Sequence, residues 1–92
     1  MSANSPGYSI TLRVDLEPGA ATTAVLAQAV SESHANLTAL DVVESSFEHM
    51  VVDVTCDTSD PDHAERVTET IAAKPGVRVR KVSDRKIGRA HV

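Results

Sequence analysis

The sequence predicts an α+β sandwich of order β-α-β-β-α-β, and three observations predict it. Apolar and polar residues alternate with a two-residue period from Tyr8 to Leu16 and again from Glu48 to Asp57. Two stretches have helical character: Ala20 to Ser33 is rich in Ala and free of Gly and Pro, and Pro61 to Ala73 spaces its apolar residues by three and four. Turn clusters at Glu17-Pro18-Gly19, Asp57 to Pro61 and Lys74-Pro75-Gly76 punctuate the chain between them. This is the ferredoxin-like split arrangement. Right-handed crossovers then place both helices on one face of an antiparallel sheet ordered 4-1-3-2.

The first strand directs Ile10, Leu12, Val14 and Leu16 to one face and Thr11, Arg13 and Asp15 to the other. Pro18 presets φ for a tight turn, and Gly19 leaves room for another backbone or a small ligand. The first helix offers a narrow apolar stripe of Leu26, Val30 and alanines, small enough for close packing on a sheet. A second strand is expected from Leu37 to Glu44, with Ser45-Ser46 turning into the third. In that third strand Met50, Val52, Val54 and Cys56 face opposite to His49, Val51, Asp53 and Thr55. Ser59 or Asp60 caps the second helix and Pro61 sits in its first turn. Its inward positions are Ala64, Val67, Ile71 and Ala72. The fourth strand, Val77 to Asp84, alternates Val77, Val79 and Lys81 against Arg78, Arg80 and Val82. The uncovered sheet face thus carries Arg13, Asp15, Asp53, Arg78 and Arg80 with Val43, Val51 and Val82.

Ninety-two residues suffice for one domain and one core. Residues 1–7 read as a flexible leader, 8–85 as the domain, and 86–92 as a tail, a linker or a remnant. With one Phe, one Tyr and no Trp, the core must be aliphatic and thin, which favours pairing with a second copy. Thirteen acidic against nine basic side chains give a net charge of -4, a poor surface for nucleic acid. No apolar run approaches the roughly 20 residues that span a bilayer, and no signal pattern opens the chain, so the expected setting is cytoplasmic, without membrane attachment.

Catalytic and metal chemistry finds little support. The histidines His34, His49, His63 and His91 show no ligand spacing, so no metal is expected. Cys56 alternates with polar neighbours in a strand and reads as a small core residue; Cys56 with His63 would mimic a nucleophile and base, but the core suits the first. Gly19 stands alone without the spaced glycines and Lys-Ser/Thr pair of a phosphate loop, so no nucleotide and no other cofactor is expected. The outer sheet face lacks the aromatics on which the RNA-binding version of this fold stacks bases.

An acidic residue shortly before Pro18-Gly19, with Ala35-Asn36-Leu37 opening the second strand, resembles the ACT domain, a small regulatory module of metabolic enzymes. The runs Ile10-Thr11-Leu12-Arg13-Val14 and Val77 to Arg85 make the chain similar to the N-terminal ACT domain of bacterial, especially actinobacterial, NAD-dependent malic enzymes. The resemblance implies a noncatalytic domain that forms a homodimer and senses an amino acid or small carboxylate. It implies a ligand corner of Glu17, Pro18, Gly19 and Ala20, joined by Asn36 and Leu37 from the same or the neighbouring subunit. Ala20 and Ala21 are smaller than the residues usual after Pro-Gly in that family. The alternatives are a ligand-free oligomerisation module and a small acylphosphatase-like hydrolase, whose Arg and Asn constellation is not found.

Overall fold

A computed structural model describes residues 7–18 and 23–86. Its elements run β1 (Tyr8–Leu16), α1 (Thr23–Glu32), β2 (Asn36–Ser45), β3 (Met50–Thr58), α2 (Pro61–Ala72) and β4 (Val77–Lys86). They form one antiparallel sheet in the order β2-β3-β1-β4, the ferredoxin-like topology. The β1–α1 turn at Gly19 and Ala20 and the last six residues lie outside the described residues.

The core forms where the alternation of β1 and β3 meets the helix stripes. Ile10, Leu12, Val14 and Leu16 join Val52, Val54 and Cys56 beneath Leu26, Ala29, Val30, Val67 and Ile71, all essentially removed from water. Cys56 is buried, and desolvation, helped by the charge of Asp57, pushes its thiol up to about 11. The thiolate that would react is therefore suppressed. Native protein at pH 8 is expected to leave Cys56 unmodified by a disulfide reagent, with full reaction in denaturant. Because the folded thiol holds its proton more tightly than the unfolded one, stability should fall as pH rises from 9 towards 11.

Asp60 caps α2: its Oδ1 accepts from the His63 N–H at 2.8 Å, and Pro61 occupies the first helical position, where a missing N–H costs nothing. The helix ends before Lys74-Pro75-Gly76-Val77, closed by the Val77 N–H donating to the Lys74 carbonyl at 3.2 Å. Gly76 has φ 77°, as the third position of a type II turn requires, and Pro75 sits at the second. On α2 the inward residues are His63, Ala64, Val67 and Ile71, whereas Ala72 is exposed. The expected inward Ala72 is thus corrected: one place after Ile71 it is turned about 100° from the buried stripe.

The fourth strand departs from simple alternation. Val79 lies opposite Val14 but Lys81 lies opposite Arg13, so Arg80 is an extra residue and the strand bulges. After a one-residue insertion every following side chain changes face. Lys81 therefore joins Arg13 on the open face, and Val82, opposite Leu12, turns to the helix face, the reverse of the regular reading. Val51 is on the open face as expected but is only 1% exposed, set between Asp15 of β1 and Glu44 of β2. Val43 stands at a register shift of β2 and is half exposed.

Candidate functional site

Glu17 and Pro18 follow β1 directly and are exposed. The Glu17 N–H donates to the Gly76 carbonyl at 2.8 Å, tying the start of the turn to the start of β4. Beside this tie opens a cavity of about 430 Å³ lined by Asp15, Leu16, Glu17, Glu48, His49, Gly76, Val77 and Arg78. The β2–β3 hairpin reaches it because Leu16 pairs with Met50 and Met50 with Ser45. One carboxylate oxygen of Asp15, Oδ1, is enclosed without a hydrogen-bond partner, while Oδ2 lies 3.4 Å from Arg80 Nε. The cavity thus gathers three carboxylates, one guanidinium and one imidazole.

Asn36 and Leu37 lie elsewhere. Asn36 pairs with Asp57 and Leu37 with Cys56, at the end of the sheet where Ser9 pairs with Asp57. Asp57 lies seven residue steps along β3 from Met50, roughly 23 Å at about 3.3 Å per step. A single copy therefore does not bring Asn36 and Leu37 to Glu17 and Pro18. Asn36 is exposed, and Leu37 is half-buried against the core. Sequence reasoning missed Glu48, His49 and Arg78 as neighbours of Glu17. The signal available was strand register: matching the core residues of β1 and β3 puts the hairpin tip beside the end of β1.

A second constellation joins the two helices. The His63 ring, 8% exposed, donates from Nε2 to the Ser33 carbonyl at 2.6 Å. Its Nδ1 accepts from the Ser59 N–H at 3.0 Å, with Ser59 Oγ at 3.1 Å. A carbonyl only accepts and a backbone N–H only donates, so the ring is the neutral Nε2–H tautomer. Both nitrogens are committed to backbone partners, so the base partner that a nucleophilic Cys56 would need is not formed here. Ser33 belongs to the turn that ends α1, where His34 takes φ 62° and the Ala35 N–H returns to the Val30 carbonyl at 3.2 Å, closing the helix end.

The open face is polar. The Arg13 guanidinium grips Asp53 through Nε at 2.8 Å and a second nitrogen at 2.9 Å, opposite each other in the ladder. This hydrogen-bonding fork holds the Asp53 carboxyl below the usual carboxylate range, with Lys81 adding to the pull. A depressed carboxyl contributes stability above its unfolded value of 3.8, and the contribution is lost as pH falls through the folded value. Since the pair is exposed, the effect on unfolding is small and salt-sensitive. A carbon-detected NMR titration should give Asp53 a midpoint below 3.8, and Arg13→Ala should return it upward. Among the described residues no group of three or more His, Cys, Asp or Glu is placed to hold a metal ion, and no helix is long and apolar enough to cross a membrane.

Strand order and helix placement together define a small α+β domain of the ferredoxin-like class. Solved structures that share its fold include the C-terminal domain of the MgtC protein from Mycobacterium tuberculosis and the uncharacterized protein TM1266 from Thermotoga maritima. The first superposes with a TM-score of 0.62 at 18% identity, covering 98% of each chain. The second gives 0.60 at 12% identity, covering 91% of this chain and 100% of the other. No family model and no curated protein matches the sequence.

Proposed function

We propose that this chain is a noncatalytic ACT-type regulatory domain that pairs with a second copy in the cytoplasm. There it senses an amino acid or small carboxylate for a metabolic enzyme such as an NAD-dependent malic enzyme. The observation that carries the reading is the register of β2. Glu17 and Pro18 lie at one end of the sheet and Asn36 and Leu37 at the other. A two-fold axis beside edge strand β2 reverses the partner's direction and brings the partner's Asn36 end towards the Glu17 end of the first copy. The cavity beside Glu17 then offers Arg78 to a carboxylate and Asp15 or Glu17 to an ammonium group.

Thermal unfolding of the purified domain against the twenty amino acids and several metabolic carboxylates tests this, because a ligand bound only by the folded state raises apparent stability. A dose-dependent shift that is lost in Gly19→Val supports the sensor. A ligand-free assembly module is the second reading, favoured by Val42, Val43 and Phe47, which leave apolar surface exposed along β2 and its hairpin. It expects a concentration-dependent dimer by light scattering and no thermal shift.

A further inference from the structure

The β4 edge, with the groove between it and α2, carries a feature that ligand sensing and β2 pairing leave unused. The bulge at Arg80 turns Val82 onto the helix face, where it remains 48% exposed although its ladder partner Leu12 is fully buried. Val82 joins Tyr8, Ile10 and Ala64 in a groove of about 350 Å³, with Asp62 and Glu65 among its lining residues. Neither acid takes part in an ion pair among the described residues. The arginine of α2, Arg66, lines a different cavity with Ser59 and His63, so the lining contributed by α2 to this groove carries only negative charge.

Beyond the bulge the ladder is regular: Lys81 to Lys86 pair in unbroken register with Arg13 to Tyr8. As an unbroken run of six residues on an edge strand, it offers its outward N–H and C=O groups in the regular repeat that an added strand needs. On the other edge, β2 shifts register between Leu37 and Ala39 and between Val42 and Glu44, so its longest unbroken stretch is the shorter run Ala39 to Val42.

We infer that the β4 edge and its acidic groove dock an extended segment of a different protein, which adds as a strand and presents alternating aliphatic and Lys or Arg side chains to the groove. Strand addition supplies main-chain hydrogen bonds, and the side chains on one face supply selectivity. The aliphatic members cover Val82 and the cations meet Asp62 and Glu65. Charge argues against a second copy as the occupant. The fully exposed Phe47 is the apolar knob a copy would offer, but Glu48 beside it and Glu44 on the same hairpin would meet Asp62 and Glu65. Antiparallel pairing of this run with its own copy, centred between Ser83 and Asp84, would set Lys81 opposite Lys86.

The test is an NMR titration of the ¹⁵N- and methyl-labelled 92-residue chain with the acetylated, amidated peptide Thr-Val-Thr-Lys-Thr-Val-Thr-Lys, and with the same peptide carrying Glu for Lys. The expected result is saturable shifts at the Lys81 to Lys86 amides and the Val82 methyls. Binding of the Glu peptide should be weaker by about tenfold or more. Glu65→Lys should reverse the preference, and Val82→Asp, a change at a half-exposed site that keeps the native spectrum, should abolish the shifts. Four results would overturn the inference: equal response to both peptides, shifts centred on β2, no response at about 2 mM peptide, or a groove already covered. The last would show as concentration-dependent Val82 shifts without peptide, or as contacts from the chain's own final residues to the Val82 methyls.

Discussion

His63→Ala is expected to destabilise the domain by about 3 kcal/mol, because it removes one side chain that satisfies two backbone groups in different parts of the chain. The Ser33 carbonyl loses its 2.6 Å donor and the Ser59 N–H loses its 3.0 Å acceptor. Ser33 is half-buried and Ser59 exposed, so water replaces part of what each loses; two hydrogen bonds of about 0.5–1.5 kcal/mol each and the vacated ring volume make up the cost. Ser59→Ala removes only the hydroxyl beside Nδ1 and should cost less than about 1 kcal/mol. Urea denaturation of both variants checks the assignment. Similar midpoints for the two would mean that the ring does not join the end of α1 to the start of α2. A long-range ¹⁵N–¹H spectrum of the native protein should show the Nε2–H tautomer independently.

Leu12→Ala is expected to cost about 3–5 kcal/mol. Leu12 is fully buried at the centre of the sheet, between Val54 on β3 and Val82 on β4. The two main strands and the helices close around it, so little can relax into the space. Domains of this size are held by about 5–15 kcal/mol in total, so the variant should be substantially unfolded on modest warming. Val82→Ala is the comparison. Val82 shares the helix face with Leu12 but is half exposed, and its truncation should cost below about 1 kcal/mol. Thermal scans of the two variants would separate a buried centre from an uncovered margin, and equal losses would mean that Val82 is covered.

Much of this architecture is legible in the residues themselves. The bounds of β1, the Asp60 cap with Pro61, the Pro75-Gly76 stop and the buried Cys56 each follow from local chemistry: period, capping, turn geometry and side-chain polarity. The sheet order follows from element order and crossover handedness. What escaped local reading depends on how separate segments align. The alternation of β4 fails after Arg80 because a bulge inserts one residue, and nothing in Val-Arg-Val-Arg-Lys-Val marks which residue is extra.

The same distinction governs function. By itself the sequence determined an α+β sandwich, its aliphatic core and the end of β1 just before Glu17-Pro18. The tertiary structure decided that Glu17 neighbours Glu48, His49 and Arg78, that Asn36 lies at the opposite end of the sheet, and that His63 joins the helices. The physical reason is range: propensity and capping act over a few residues, whereas strand register is set by the whole core and brings together residues 30 or more positions apart.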